Sequence, residues 1–115
     1  MKNVKLLGHK VTLKISDPWE FGTECGIGPF KGIIKDTNID HILIKLENPI
    51  KYNGKVLIVA LCRPRHSGSK IEDILNRIQL SANILLLSVD TDSISTINND
   101  RSINSAPVIG TVELI

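Results

Sequence analysis

Aromatic residues are scarce in this chain of 115 residues, which has one Trp, one Tyr and two Phe. Proteins that bind RNA on a barrel or a sheet usually stack bases on several aromatic rings, so the composition argues against an extended base-stacking surface. Three of the four aromatic residues lie in one segment, SDPWEFGTECGIGPFKGII, which covers residues 16–34. This clustering predicts either a binding or catalytic loop or the corner of a small β-barrel.

Long apolar runs and cysteines are also lacking. No stretch approaches the roughly 20 consecutive apolar residues that cross a membrane as a helix, and the start MKNVKLLGHKV has no continuous apolar region of the kind found in signal peptides. The two cysteines, Cys25 and Cys62, are too few for a disulfide scaffold. We therefore expect a cytoplasmic protein, without membrane association, whose cysteines are reduced and packed.

The sequence also lacks the ligand spacing of a metal site. His9, His41 and His66 are far apart, and no two of them have the spacing typical of zinc ligands. Cys62 and His66 are four residues apart, but a pair without further ligands is more typical of a surface histidine in a turn. The sequence predicts no metal and no cofactor.

Charge is nearly balanced overall, with a net charge of +2, but it is distributed unevenly along the chain. Residues 1–70 contain twelve Lys and Arg against six Asp and Glu, whereas residues 71–115 contain two against six. A barrel could mix the two halves in space, or it could present one basic and one acidic face that steer a charged partner. The sequence leaves both alternatives open.

Six segments have the composition or alternation of β-strands. In the first, Val11, Leu13 and Ile15 alternate with polar residues, which is typical of a half-buried strand. Asn53-Gly54 is a strong signal for a tight hairpin between the third and fourth segments. The segments are KVTLKI, FKGIIKDTN, HILIKLENPI, VLIVALCR, IQLSANILLLSVD and PVIGTVELI. They predict one mainly β domain over residues 1–115, a small, partly open barrel of about six strands.

The segments between the strands are predicted to contain one helix. Ser69 with Glu72 has the spacing of a capping box, and apolar residues follow at helical spacing, so a short helix is expected over residues 70–76. Residues 91–106 show no regular period and are expected to form a long surface loop.

The aromatic segment is expected to fold back as a loop over an open end of the barrel. Its three rings, Trp19, Phe21 and Phe30, would seal the core there. Gly22 and Gly26 argue against a helix in this segment.

Two groups of residues are candidates for chemistry of their own. Glu20, Glu24 and Cys25 could serve a small enzyme, but no local arrangement that activates a nucleophile is recognisable. Arg63, Arg65, His66 and Lys70 form a basic cluster at a strand end, which could contact phosphate in a small RNA-binding barrel. The alternative for this cluster is a solvated basic loop.

Taken together, the segments over roughly residues 8–89 resemble those of a known class of proteins. A short first strand is followed by DPWEFGTECGIGPFKGII, by ILIKLENPIKYNGK and by a strand ending in CRPRH. This resembles small, stand-alone bacterial proteins with SH3-like or related β-barrels, several of which are immunity proteins beside secreted polymorphic toxins, including those of contact-dependent inhibition. The resemblance implies a cytoplasmic, non-catalytic protein that binds one cognate toxin domain and blocks its active site.

The partner that this resemblance implies is a toxin domain with basic nuclease character. Inhibitors of basic nucleases are often acidic overall, which this chain is not, so its acidic residues must be locally concentrated. The expected partner-binding residues are Asp17, Trp19, Glu20, Glu24, Glu72, Asp73, Asp90 and Asp92, with Asp100 beside the last two. In the RNA-binding alternative, Arg63, Arg65 and Lys70 contact the nucleic acid.

Overall fold

The computed structural model describes residues 4–76, 79–99 and 104–115. Strands hold 53% of the residues, which confirms the predicted mainly β class. In chain order the elements are β1 (Lys10–Asp17), α1 (Trp19–Cys25), β2 (Phe30–Thr37), β3 (Ile42–Tyr52), β4 (Lys55–Pro64), a 3₁₀ helix (Ile71–Asn76), β5 (Leu80–Leu87), α2 (Ile94–Asn99) and β6 (Ser105–Leu114).

The six strands form a closed antiparallel barrel in which each strand pairs with its neighbours in sequence. The last strand completes the circle, because β6 pairs with β5 along one edge and with β1 along the other, where Leu13 lies opposite Val112. The predicted small barrel of about six strands is confirmed. It is closed rather than partly open, because six residues of β1 pair with β6.

Two glycines allow the strands to approach closely enough for closure. A Cβ atom at Gly110 would overlap the carbonyl oxygen of Lys14 on β1, and a Cβ atom at Gly32 would lie 2.7 Å from the carbonyl oxygen of Lys45 on β3. The register between β1 and β6 shifts immediately beyond Gly110, between Ile15 and Asp17. Gly110 therefore occupies the point where the first and last strands meet most tightly.

The interior of the barrel is filled by side chains from alternate strand positions and closed at both ends. At the end that carries the β1–β2 and β3–β4 connections, α1 inserts Phe21, which is fully buried against Phe30 and Tyr52. At the other end, Leu6 and Ile74 join the same apolar cluster from the N-terminal turn and the 3₁₀ helix. The prediction that aromatic rings seal one end of the core is confirmed for the two phenylalanines.

Trp19 is the exception to that prediction, which is wrong for this residue. Trp19 is 75% exposed at the first position of α1. The place beside Phe21 that was expected for Trp19 is taken by Tyr52 from the β3–β4 hairpin. The two phenylalanines already occupy the end of the barrel with ring centroids 5.9 Å apart. The indole therefore lies on the surface.

A second, smaller apolar cluster lies on the outer wall of the barrel. Leu43, Val59 and Leu87 stand in neighbouring strands and are covered by Ile94 of α2. The buried Asp36 carboxylate fixes α2 in place by accepting hydrogen bonds from the Ile94 N–H (2.8 Å) and the Thr37 N–H (2.9 Å). The loop expected over residues 91–106 thus contains a helix, which is stabilised by tertiary contacts and not by its own sequence.

The connection between β4 and β5 holds the predicted short helix, in 3₁₀ form. Its N-terminal contact lies one residue later than predicted, because the backbone N–H of Lys70 donates to Asp73 Oδ2 at 3.0 Å. Over residues 4–76, 79–99 and 104–115, neither α-helix nor 3₁₀ helix is long and apolar enough to cross a membrane.

Candidate partner-binding surfaces

The aromatic segment forms a helix, contrary to the prediction from its glycines. Gly26 ends α1 with φ of +79°, a conformation that glycine adopts at little cost, and its N–H donates to the Gly22 carbonyl at 3.1 Å. Gly22 is accommodated inside this helix of seven residues, which is about two turns. The second glycine was therefore a stop signal and not a sign of irregular structure.

Side chains on one side of α1 bind it firmly to the β3–β4 hairpin. Glu24 Oε1 accepts a hydrogen bond from the Asn53 N–H at 2.8 Å, and the Cys25 thiol donates to the Lys51 carbonyl at 2.8 Å. The ring centroid of Phe21 lies 4.9 Å from that of Tyr52 on the same hairpin. Glu24 has a structural role here, and the position of α1 is fixed by three separate contacts.

The opposite side of α1 presents apolar side chains to solvent. Trp19 precedes Gly22 by three residues and so shares its face of the helix. A Cβ atom at Gly22 would lie 3.4 Å from Ile27, whose side chain is 59% exposed. Asp17 is exposed just before the helix. Glu20 is exposed on the side of Glu24, where its charge adds to the effect of burial in raising the pKa of Tyr52. We call the surface formed by Asp17, Trp19, Glu20 and Ile27 the α1 surface.

A groove of about 530 Å³ runs across the outer wall of the barrel and reaches the α1 surface at Asp17 and Pro18. The floor of the groove is a row of apolar residues from three neighbouring strands, in which Leu61 lies opposite Leu85 and Leu85 lies opposite Pro107. The remaining lining residues are His41, Arg63, Asn83, Ile84, Val108 and Ile109. The groove offers an apolar floor continuous with the acidic end of β1.

The other predicted acidic residues do not join the α1 surface. Glu72 and Asp73 lie on the 3₁₀ helix, at the opposite end of the barrel. Asp90 and Asp92 lie over the barrel wall, where their carboxylates are 2.7 Å and 3.9 Å from Lys45 Nζ. The hydrogen bond and charge of Asp90 raise the pKa of Lys45. The predicted acidic residues are therefore split among three places. Asp100 lies outside the described residues.

The basic cluster at the end of β4 surrounds a polar hollow of about 500 Å³. Arg63, Arg65 and His66 line it together with Asn83 and the turn of residues 67–69. Asp40 also lines the hollow, and its carboxylate lies 4.0 Å from Arg63 Nε and 2.7 Å from His41 Nδ1. Lys70 is exposed but does not line the hollow. The structure thus brings together two of the three predicted phosphate contacts.

Sequence analysis missed a larger basic surface on β1, β2 and β3. A groove of about 600 Å³ is lined by four lysines, Lys10, Lys31, Lys35 and Lys45, and by a single acidic residue, Glu47. This clustering can be recognised only when the strand register is known, because the register places Lys10 and Lys45 opposite the same residue, Ile33. The excess of lysine in the first half of the sequence was the one available signal.

The two cysteines lie in surroundings that disfavour their thiolate forms. Burial, and to a smaller extent the charge of Glu24, raises the pKa of the Cys25 thiol. Burial also raises the pKa of Cys62, which lies in the barrel core. Neither cysteine is in a disulfide. Within the part of the chain that the structure describes, no three His, Cys, Asp or Glu side chains gather as a metal site.

Alkylation kinetics test this description of the cysteines. At neutral pH we expect iodoacetamide to modify Cys25 more slowly than a free thiol, because a raised pKa leaves less thiolate. The rate should rise only as the pH passes above the ordinary thiol range, and Cys62 should react only when the protein unfolds. Mass spectrometry of timed samples, with urea-unfolded protein as the control, measures both rates. A Cys25 that outpaces free cysteine would indicate an activated nucleophile.

Comparisons with known proteins add no identification. The chain matches no protein-family model, and no curated protein and no solved structure is similar to it at a significant level.

Proposed function

We propose that this protein is a non-catalytic protein-binding domain of the immunity type, which neutralises a cognate toxin domain by covering it. The observation that supports this most directly is the position of Trp19, the one tryptophan of the chain, 75% exposed on a helix that three contacts hold against the barrel. Fixed, exposed aromatic residues are typical anchors of protein–protein interfaces.

The energetics of binding favour such an anchor. A large apolar side chain that stays in water in the free protein gains the full benefit of burial when a partner covers it. Because α1 is already bound to the hairpin, little conformational entropy is lost on association. The groove beside Asp17 extends the contact area from the indole across the apolar row of Leu61 and Leu85.

The charge of the α1 surface suits a basic partner. Asp17 and Glu20 flank Trp19 and are exposed, so they would attract a positively charged toxin domain such as a nuclease and speed its encounter. Glu72, Asp73, Asp90 and Asp92 lie elsewhere and would act only through the long-range field. This proposal includes a cytoplasmic location and the SH3-like character of the barrel.

The test is neutralisation of the toxin domain encoded immediately upstream of the gene for this chain. We expect the protein to abolish its nuclease activity, and Trp19→Ala to weaken binding at least about 30-fold, which corresponds to the ~2 kcal/mol of a hot-spot residue. Ile39→Ala is the matched control, because Ile39 is 80% exposed in the turn at the opposite end of the barrel. Absence of such a gene, or equal binding by both variants, would contradict the proposal.

A second candidate function is RNA binding at the polar hollow. It is favoured by the convergence of Arg63, Arg65 and His66 on one hollow, and weakened by the nearby Asp40. Arg63→Gln with Arg65→Gln should then lower affinity for RNA and flatten its dependence on salt. Unchanged RNA binding by this variant would remove the hollow from consideration.

A further inference from the structure

The lysine groove on the outer wall has a regular geometry set by the strand register. Ile33 lies at its centre on β2, with Lys10 opposite on β1 and Lys45 opposite on β3. Lys31 lies two residues before Ile33 on the same strand, so its side chain also points outward. Lys35 lies at the register shift between Ile34 and Asp36, where it is exposed and lines the same groove. Given a strand spacing of about 4.8 Å and a rise of about 3.3 Å per residue, the Cα atoms of Lys10, Lys31 and Lys45 lie roughly 5–7 Å from that of Ile33.

Most of this positive charge is not neutralised within the protein. Lys10, Lys31 and Lys35 are exposed and form no ion pair among the described residues. Of the described residues that line the groove, Glu47 is the one acidic residue, and Asp90 Oδ1 lies 2.7 Å from Lys45 Nζ. Like charges at this spacing repel one another, and a bound polyanion would relieve that repulsion.

We propose that the lysine groove binds the phosphodiester backbone of single-stranded nucleic acid. Lysine ammonium groups are point charges that bind phosphate without a demanding geometry, and a groove lined with them can follow a linear chain of negative charge. None of the described residues that line the groove is aromatic, so the bases have no ring on which to stack. Binding should therefore be indifferent to base sequence and strongly dependent on salt.

The shape of the surface favours a strand of nucleic acid over a membrane. Ile33 is half-buried among the lysines and Leu46 packs into the barrel core, so Ile115, which is 60% exposed, is the one projecting apolar side chain among the described lining residues. A single such side chain is much less than the apolar face by which an interfacial segment enters a bilayer. An acidic peptide would usually contribute apolar anchors to a deeper pocket. A phosphate backbone needs only a continuous line of positive charge.

The segment that carries Asp90 and Asp92 competes with the ligand for Lys45. Its two carboxylates lie 2.7 Å and 3.9 Å from Lys45 Nζ, and a phosphate group can approach this lysine only by displacing them. Removing the two negative charges should therefore strengthen the binding of an anion. It should weaken the binding of a basic protein through the same residues, so one variant separates the two kinds of partner.

Titration of a fluorescein-labelled oligouridine, followed by anisotropy, tests the proposal. We expect the logarithm of the binding constant to fall with the logarithm of salt concentration with a slope of about −2 to −3, for three to four neutralised phosphates. Lys31→Gln with Lys35→Gln should weaken binding about tenfold at low salt and flatten the slope by ~1.4. Asp90→Asn with Asp92→Asn should strengthen binding about threefold or more and steepen the slope by ~0.7.

The controls use basic residues and anions of other kinds. Arg63→Gln with Arg65→Gln, which removes two cations at the polar hollow, should leave oligouridine binding unchanged, as should Trp19→Ala, which tests the separate toxin-binding proposal. Thermal unfolding confirms that each variant is folded. The proposal is overturned if the arginine pair matters and the lysine pair does not, if the aspartate variant binds more weakly, or if polyglutamate or vesicles of anionic lipid bind the lysines more tightly than oligouridine does.

Discussion

Replacing Gly110 by alanine is expected to destabilise the protein by at least about 3 kcal/mol, at the upper end of the range for an overpacked core. The added Cβ atom would overlap the carbonyl oxygen of Lys14 and come within 3.1 Å of the Ile15 Cα atom. Both contacts are backbone atoms of β1, which cannot rotate away as a side chain could. The β1–β6 pairing that closes the barrel would have to separate locally.

Urea denaturation measures this loss as a lower midpoint of unfolding, and Gly8→Ala provides the matched control. Gly8 has φ of +84° but open space around its Cα atom, so alanine there costs only backbone strain of about 1 kcal/mol. Gly110, by contrast, does not have a positive φ, so the loss of stability on its replacement by alanine comes from steric contact alone. Equal losses for the two variants would contradict the tight closure at Gly110.

Replacing Phe21 by alanine is expected to cost about 3–5 kcal/mol, the range for a buried phenylalanine. Its ring is fully buried at one end of the barrel, between Phe30 and Tyr52. Removal would leave a cavity at that end and would loosen α1 from the hairpin, since Phe21 is the buried residue of the helix.

The effect on stability should contrast sharply with that of the neighbouring aromatic residue. Trp19→Ala, two residues earlier, is expected to change the free energy of unfolding by less than about 0.5 kcal/mol, as is usual for exposed positions. Chemical unfolding of both variants, followed by circular dichroism, gives the comparison. If Trp19→Ala destabilised the protein as much as Phe21→Ala, the indole would belong to the core and the interface proposal would lose its anchor.

The strands were predictable because their signals are local. The alternation of Val11, Leu13 and Ile15 matches the buried positions of β1. Asn53 and Gly54 have φ of 53° and 75°, the conformation of the predicted two-residue hairpin turn, with Tyr52 opposite Lys55. Each of these features depends on neighbouring residues and is therefore readable from the sequence.

The two α-helices were not predictable for the opposite reason. With seven and six residues they are too short to be stable alone. α1 depends on the contacts of Glu24 and Cys25 with the hairpin, and α2 on the hydrogen bond from Ile94 to Asp36, which is 58 residues earlier. Contacts over such distances have no signature in a single sequence.

The candidate surfaces were only partly predictable, because they depend on register. The excess of lysine in residues 1–70 was visible, but only the pairing of Lys10 and Lys45 with Ile33 shows that the charges converge. The alternative of one basic and one acidic face is met only in its basic half, by the four lysines on β1–β3. A matching acidic face does not form among the described residues, since Asp90 and Asp92 neutralise Lys45 and the other acids lie at opposite ends of the barrel.

The central claim is that the barrel is filled and recognises its partner through an exposed indole. The fluorescence of Trp19, the single tryptophan of the chain, tests this claim most directly. We predict that the folded protein emits at nearly the wavelength of the urea-unfolded protein and is quenched equally by acrylamide, and that adding the toxin domain shifts the emission to the blue and protects it. A blue-shifted, shielded emission in the free protein, or a spectrum that the toxin domain leaves unchanged, would contradict this account.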